Sequence, residues 1–360
     1  MDSVELQSVV ITLEESMSIA MVTDYQRAMQ SENIWWPSIA RPRDISSRKE
    51  TIHWLLDTAK IEPRDIGNIA FEDMSTVDLV VEPKFASSGL EIGIEAFQDL
   101  ENGVWGGRAI NAGTAWARQI GVQMAYYPQF RLASAMLGNP TAYDGVSFFA
   151  HAHPTNINDP AAGTYTNLLD AVAADGWSGV LAPIDPTVTV DVALNNLQRV
   201  LTYIRSLKGP NGRDPRFLRP IGILVPPSLT VRAQQLTNAR FIAQAAGATG
   251  GGSGDIEAVI RNFGFGDPLV APELGAGFAY SYQGGPSVAG SDVDYYVICE
   301  TQDVEVSGFI YGRREAFNVI YHDLASSAEL ARKGKLQWVC RGRNEIVPGL
   351  PYTIFKVRGS

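Results

Sequence analysis

Two short stretches on either side of residue 85 alternate between apolar and polar side chains, which is the pattern of strands with one buried face. Pro83 and Gly89 supply turn residues between them, so the pattern predicts a β-hairpin. An isolated hairpin is marginally stable in water, and its apolar face therefore needs a cover. That cover is either the chain's own helices or a neighbouring subunit. The apolar face would consist of Val77, Leu79, Val81, Leu90, Ile92, Ile94 and Ala96.

A long helical tract follows, starting near Val104, with apolar residues at helical spacing. Pro128 is expected to end or kink the helix after about 23 residues, or roughly 35 Å. A second helix is predicted over Gln129–Leu137, with Pro128 in its first turn. Gly113 and Gly121 would let another backbone approach the first helix closely.

The remaining patterns are those of a mixed chain of helices and strands. Trp35 and Trp36 stand just before Pro37, and they are expected to dock on the chain's own core or on a neighbouring subunit. The glycine-rich run 245–255 predicts a mobile loop. Helices are predicted over Leu13–Met29, Asp191–Lys208 and Leu229–Asn238. Strands are predicted over Ile221–Val225, Tyr295–Glu300, Val304–Ile310, Phe317–Tyr321, Leu336–Arg341 and Tyr352–Val357.

Composition narrows the class of protein. A chain of 360 residues can bury a sizeable core, and we expect two lobes. Its net charge of −10 argues against a nucleic-acid reader with a dominant basic face. Cys299 and Cys340 are too few for a disulfide framework and suit a reducing cytosol. No apolar run reaches membrane-spanning length and no signal-peptide pattern opens the chain, so a soluble protein without a membrane partner is expected.

His151 and His153 are the strongest candidates for chemistry. Two residues apart on a strand, they would face the same side and could share a metal, with Asp144 or Asp159 as a third ligand. The other two of the four histidines are distant in sequence, so hydrogen-bonded structural histidines are the preferred interpretation.

Other catalytic signatures are weak. The glycine-rich run 247–254 lacks the Lys-Ser/Thr pair of a phosphate-binding loop, and no Gly-x-Ser-x-Gly elbow occurs. Cys299 lies in an apolar strand and is expected to be a buried residue that contributes only to packing. We therefore predict no catalytic residue, no cofactor and no metal site, and hence a protein that is not an enzyme.

The order of several motifs resembles that of the Mu-like major head subunits of tailed phages. Those proteins typically place a Trp-Leu segment before the hairpin, as at Trp54-Leu55, and then a helix with an internal proline, as at Ala109–Pro128. A Tyr-Asp-Gly-x-x-Phe-Phe-x-x-x-His segment follows at Tyr143–His153. A strand ending in Leu-Val-Pro-Pro comes later, at Leu224–Pro227. The resemblance covers residues 50–240 well and the rest by element order.

The resemblance implies the Hong Kong 97-type capsid fold, which is an α+β architecture. Residues 1–55 would form the N-terminal arm and residues 66–100 the E-loop hairpin. The P-domain, with the long helix as its spine, and the A-domain would share the remainder. Their ranges are 56–65, 101–186 and 326–360 for the P-domain, and 187–325 for the A-domain.

The implied function is that of a major capsid protein, which self-assembles as hexamers and pentamers into an icosahedral phage head around double-stranded DNA. Expected partners are further copies of the chain, scaffold, portal and decoration proteins, and DNA held by non-specific contact. The expected location is the virion, after assembly in the host cytoplasm. Two alternatives stay open: an encapsulin-type compartment that stores protein cargo, and a metal-dependent enzyme built on His151 and His153.

The residues expected at subunit interfaces lie in the arm and the hairpin. Lys84 is expected at the hairpin tip. Some related capsid proteins form a Lys–Asn cross-link from a loop lysine, but a solvated lysine is the preferred interpretation here. The predicted interface set is Trp35, Trp36, Val77, Leu79, Val81, Lys84, Leu90, Ile92 and Ile94.

Overall fold

The computed structural model describes residues 3–31, 33–55, 76–93, 105–210, 212, 215–238, 241–242, 256–257, 265–301, 307–322 and 333–359. The helices within these ranges are α1 Ser3–Met29, α2 Trp105–Gly138, α3 Val190–Ser206 and α4 Thr230–Asn238. The first strands are β1 Ala40–Asp44, β2 Glu50–Leu55, β3 Thr76–Val81, β4 Lys84–Gly93, β5 His153–Pro154, β6 Thr164–Tyr165, β7 Leu168–Leu169, β8 Ala173–Ala174 and β9 Trp177–Ser178. The later strands are β10 Arg219–Val225, β11 Phe241–Ile242, β12 Ile256–Glu257, β13 Leu269–Val270, β14 Ala279–Ser281, β15 Ser287–Ala289, β16 Tyr295–Glu300, β17 Phe309–His322, β18 Lys335–Pro348 and β19 Ile354–Val357.

Two mixed sheets organise the chain. The four-stranded sheet has the order β1-β17-β18-β4, and the five-stranded sheet has the order β13-β10-β16-β19-β7. In the four-stranded sheet β1 runs parallel to β17, whereas the other neighbours are antiparallel. The remaining strands form two-stranded ladders, among them β2–β3 and β8–β9. The α+β class predicted from the sequence is confirmed.

The predicted hairpin is wrong in its pairing. Strand β3 pairs with β2, and strand β4 pairs with β18, so the two predicted strands are neighbours in the chain but not in a ladder. Alternation reveals a strand and its buried face, but the partner depends on register with distant segments. The side chain of Val77 and the whole of Ile94 lie outside the described residues.

The long helix is continuous where a break was predicted. Helix α2 runs through Pro128 to Gly138, so the separate second helix over Gln129–Leu137 is wrong. A proline inside a helix costs about 3 kcal/mol because it removes a hydrogen bond and crowds the preceding turn. The turns that follow are deeply buried, and this packing offsets the cost; Leu132 and Met136 are 0% and 1% exposed.

The other predicted elements are mostly confirmed within a few residues. Helices α3 and α4 and strands β10 and β16 lie where the patterns placed them, whereas α1 begins ten residues earlier than predicted, at Ser3 rather than Leu13. The strands predicted over Val304–Ile310 and Phe317–Tyr321 are instead parts of one long strand, β17, whose register shifts twice against β18. Residues 302–306 are outside the described ranges.

The buried residues form two large cores. Helix α3 covers one face of the five-stranded sheet, with Leu197, Val200 and Ile204 nearly inaccessible. The second core joins the other face of that sheet to the carboxyl half of α2 and to the start of β17. Smaller clusters lie under the β2–β3 ladder and between α1, α2 and β18.

Candidate functional site

Both tryptophans predicted at an interface lie inside the chain's own core. Trp35 is 0% exposed and Trp36 is 8% exposed. The rings of Trp36 and Tyr311 meet edge-on, with centroids 5.4 Å apart. Of the two destinations that the sequence left open, the structure shows the chain's own core.

A buried hydrogen-bond network holds Trp35. Its backbone N–H donates to Gln129 Oε1, and its indole N–H donates to Glu273 Oε2, each at 3.1 Å. The amide nitrogen of Gln129 donates to the other carboxylate oxygen of Glu273 at 2.8 Å. Gln129 is 0% exposed and Glu273 6%, so a missing partner would be costly here. The network fastens the segment between α1 and β1 to α2 and to the segment after β13.

Helix α1 packs lengthwise on α2. The backbones come so close at Gly121 that a Cβ atom there would lie 2.3 Å from the carbonyl oxygen of Met21. A Cβ atom on Gly113 would meet the side chain of Leu13 at 2.9 Å. The close approach predicted from these glycines is confirmed, and it brings α1 onto α2.

The predicted interface residues of β3 and β4 face the chain's own clusters. Leu79 and Val81 are 9% and 0% exposed beneath the β2–β3 ladder. Leu90 and Ile92 are partly buried against the cluster that contains Trp338. The apolar face of this region is therefore covered largely from within the chain.

Lys84 is the first residue of β4, opposite Asn344, rather than the tip of a hairpin. Its Nζ lies 3.9 Å from Oε2 of Glu345, and Arg131 on α2 forms a closer hydrogen-bonded ion pair with Oε1. Burial lowers the pKa of Arg131, but the Glu345 carboxylate beside it more than compensates and raises that pKa above its ordinary value. Because Glu345 is 2% exposed, these cations replace water around its charge.

The Tyr-Asp-Gly…His motif forms a buried junction. Nδ1 of His153 lies 2.5 Å from Oδ2 of Asp144, and its Nε2 lies 3.1 Å from the carbonyl oxygen of Phe148. Each ring nitrogen of His153 therefore has an oxygen within hydrogen-bond distance. The His153 and Asp144 side chains are both 0% exposed. The prediction of a hydrogen-bonded structural histidine is confirmed for His153.

A stack of rings extends this junction toward the end of the chain. The ring of His153 lies parallel to that of Tyr165, with centroids 5.2 Å apart. The guanidinium of Arg216 lies 5.1 Å from the Tyr165 centroid and 4.0 Å from that of Tyr352. Cation–π contacts strengthen when they are desolvated, so this column ties the junction to the last strands. Burial raises the pKa of Tyr165 well above its ordinary value, which keeps the hydroxyl neutral.

His151 and His153 have different partners. Nε2 of His151 lies 3.5 Å from Asp170, whereas Asp144 binds His153 and Asp159 caps a short 3-10 helix. Across the part of the chain that the structure describes, no group of three or more His, Cys, Asp or Glu side chains could hold a metal ion. The metal site considered for these residues is not brought together there.

Both cysteines are buried free thiols. Burial raises the pKa of Cys340 to about 11, and it raises the pKa of Cys299 as well. A thiol that stays protonated at neutral pH is a poor nucleophile and a poor metal ligand. The cysteines therefore contribute packing, as expected for Cys299.

Residues 14–179 match the family model of the Mu-like prophage major head subunit gpT. The matched span contains α1, the strands around Lys84, α2 and the His153 junction. This span is similar in sequence to a major head subunit, and the predicted resemblance is confirmed. No curated protein matches the chain in sequence.

Solved structures similar to this chain include three shell proteins. The bacteriophage JBD30 capsid is 10% identical over 89% of this chain, with a TM-score of 0.43, and this chain spans 64% of its length. The capsid of cyanophage P-SCSP1u is 10% identical over 90% of this chain and 88% of its own, with a TM-score of 0.49. The virus-like particle from Pyrococcus furiosus is 10% identical over 96% of this chain and 98% of its own, with a TM-score of 0.46. No helix in the described ranges has the length and apolar character needed to cross a membrane.

Sequence reasoning missed the polar residues that join the elements. Gln129, Glu273, Arg131 and Glu345 come from separate segments, and only the tertiary fold brings them together. One usable signal was available: Glu345 stands directly before the apolar pair Ile346-Val347, where a lone carboxylate in a buried strand needs a cation.

Proposed function

We propose that this protein is the major capsid protein of a phage-type head and that it self-assembles as hexamers and pentamers into an icosahedral shell. The observation that carries the proposal is the family match over residues 14–179. The same span contains the packed helices α1 and α2 and the buried junction between His153 and Asp144.

We further propose the division into an arm (1–55), an E-loop (66–100), a P-domain with α2 as its spine (56–65, 101–186 and 326–360) and an A-domain (187–325). Most of the core around α3 and the five-stranded sheet comes from residues 187–325, which supports the A-domain, while β7 and β19 join that sheet from the P-domain ranges. Strand β17 pairs with β18 along most of its length, which favours placing residues 309–322 with the P-domain strands.

In this proposal the protein acts through its surfaces and has no catalytic role. Its partners are other copies of the chain, together with scaffold, portal and decoration proteins. It encloses double-stranded DNA by non-specific contact, and a net charge of −10 limits tight binding of phosphates to the wall. Assembly takes place in the host cytoplasm, and the protein ends in the virion.

The test is electron microscopy and native mass spectrometry of the purified chain. We expect closed shells or capsomers, and nuclease-protected DNA in particles recovered from an infected or induced host. A stable 39.1 kDa monomer at all protein and salt concentrations would refute the proposal. Shells that hold protein cargo and no protected DNA would favour the encapsulin-type alternative. About one metal ion per chain, lost on replacing His151 and His153 by alanine, would favour the enzyme alternative.

A further inference from the structure

We propose that the cavity between α1, α2, β17 and β18 binds a small organic amine, with its apolar body inside the cavity and its ammonium group beside Glu14. Binding requires only the folded chain, so it is independent of the proposed self-assembly. The cavity has a volume of about 280 Å³. An engineered apolar cavity of about 150 Å³ holds benzene, so a cavity of this size can hold roughly ten non-hydrogen atoms.

The walls of the cavity are mainly aromatic rings and methionine side chains. The rings of Tyr321 and Trp338 are tilted by 31°, with their centroids 5.2 Å apart. The face of an aromatic ring carries negative charge and attracts an organic cation, and a methionine sulfur packs favourably against ring edges. The aromatic and methionine residues of the wall are Trp116, Phe317, Tyr321, Trp338, Met17 and Met21.

A β-bulge places one of these rings. Ala316 and Phe317 of β17 lie opposite a single residue of β18, Gly342. A Cβ atom on Gly342 would lie 2.8 Å from the Phe317 ring, so the ring lies directly over the glycine. Bulges redirect side chains in this way and are common beside binding sites. Phe317 lines both this cavity and a neighbouring one of about 260 Å³, which extends further along α2.

The cavity is apolar at its inner end and acidic at its mouth. Met17 and Trp338 are 3% and 1% exposed, and they form the inner end. Glu14, Ser18 and Asn318 are exposed and therefore lie at the mouth. Glu14 forms no ion pair with any residue in the described ranges, and none of the described lining residues is Lys, Arg or His. The carboxylate is therefore available to a cation from outside the chain.

This polarity selects the class of ligand. An anion would meet the carboxylate and the negative ring faces, and an inorganic cation would leave the apolar inner end unfilled. A molecule with an apolar body and an ammonium group matches both ends. The neighbouring cavity has no charged residue among its described lining residues, so it offers no such preference for charge. A bound amine would contact α1, α2, β17 and β18 together and would stabilise the folded chain.

Three matched ligands test the preference for charge. 2-Phenylethylamine, 2-phenylethanol and 3-phenylpropionate share an aromatic body, and their end groups are cationic, neutral and anionic at neutral pH. Isothermal titration calorimetry of the purified full chain should give the amine a Kd about threefold to tenfold below that of the alcohol. The carboxylate should bind most weakly. The amine should also raise the midpoint of thermal unfolding.

Two pairs of variants test the site. Glu14→Gln should reduce the preference for amine over alcohol to about twofold or less, whereas Glu15→Gln, at an exposed position outside the cavity, should leave it unchanged. Ser18→Trp should block the mouth and abolish binding of both ligands. Ile19→Trp is its control, because Ile19 is 69% exposed and does not line the cavity. Circular dichroism should show all four variants folded, because the substituted side chains are exposed.

Equal dissociation constants for amine and alcohol in the wild-type chain, or a preference that survives Glu14→Gln, would overturn the proposal. Binding that survives Ser18→Trp but is lost in Gln123→Trp would also overturn it, because Gln123 lines the neighbouring cavity only. Shells that form from a chain without any affinity for the amine would leave the proposed function standing. A chain that binds the amine as expected but never assembles would refute the proposed function and leave the amine site standing.

Discussion

The indole N–H of Trp35 donates a 3.1 Å hydrogen bond to the carboxylate of Glu273, although 238 residues separate the two in sequence. Both partners are buried, and Gln129 of α2 bonds to both of them. The segment between α1 and β1 is therefore integrated into the core of the chain. If residues 1–55 act as the arm proposed above, its contacts with neighbours would use exposed residues such as Ile19, at 69% exposure.

Removing that donor should destabilise the subunit. Trp35→Phe leaves Glu273 with one fewer partner, and we expect a loss of about 1–3 kcal/mol in the free energy of unfolding, measured by urea denaturation. Trp36→Phe is the matched control, because the indole nitrogen of Trp36 is buried and has no hydrogen-bond partner among the described residues. Equal losses in the two variants would show that the bond to Glu273 contributes nothing specific.

The contact between α1 and α2 should depend on Gly121 more than on Gly113. A Cβ atom at Gly121 meets rigid backbone, the Met21 carbonyl at 2.3 Å, whereas at Gly113 it meets the end of the Leu13 side chain. Gly121→Ala should speed hydrogen exchange in α1 as the helices separate, despite the gain of about 1 kcal/mol in helix propensity. Gly113→Ala should have a smaller effect, and the opposite order would contradict this account.

The sequence was informative wherever local pattern decides the structure. The amphipathic stripe of α3 and the apolar strand β10 depend on periodicity alone, and both were predicted within two residues. Strand pairing was not predictable from the sequence. Strand β4 pairs with β18, about 250 residues further along the chain, and the alternation of apolar and polar residues does not specify which strand is the partner. The helix break predicted at Pro128 was wrong, because burial of the following turns of α2 outweighs the local energetic cost of the proline.

For the candidate site, too, the local motif could be recognised in the sequence, whereas the contacts between distant residues could not. The motif from Tyr143 to His153 was recognisable, but its chemistry depended on whether Asp144 and Asp170 bind one histidine or two. That question is decided by side-chain packing. Phe85 likewise appeared as an ordinary residue near a turn, and only the pairing of β4 with β18 places it opposite Arg343.

The thiol of Cys340 should stay unreactive at mildly alkaline pH. Burial raises its pKa from 9.0 to about 11, so at pH 8 the folded protein holds the thiol protonated. Labelling with iodoacetamide at pH 8 should be slow in the native protein and fast in urea. The raised pKa contributes stability that is fully present below pH 9 and is lost as pH rises toward about 11. Rapid native labelling at pH 8 would contradict the buried placement.

The two histidines of the motif should differ sharply in their effect on stability. His153→Ala removes the partner of Asp144 Oδ2 at 0% exposure and leaves the carboxylate only the backbone N–H of Val146, so we expect a loss of about 1–3 kcal/mol or more in the free energy of unfolding. His151→Ala should cost much less, because its side chain is 33% exposed and its partner Asp170 also contacts Arg358. Urea denaturation of the two variants measures the difference.

A double-mutant cycle separates the contact between His153 and Asp144 from general packing. If His153 acts through Asp144, then Asp144→Ala combined with His153→Ala should cost clearly less than the sum of the two single changes, because the second change no longer removes a hydrogen-bond partner from a buried polar group. Elemental analysis of the same variants provides an independent check, since a hydrogen-bonded histidine predicts unchanged metal content. Additive losses would mean that the 2.5 Å contact between Nδ1 and Oδ2 does not couple the two residues energetically. In that case the junction would depend on the stack of His153, Tyr165 and Arg216, and Tyr165→Leu would become the more damaging change.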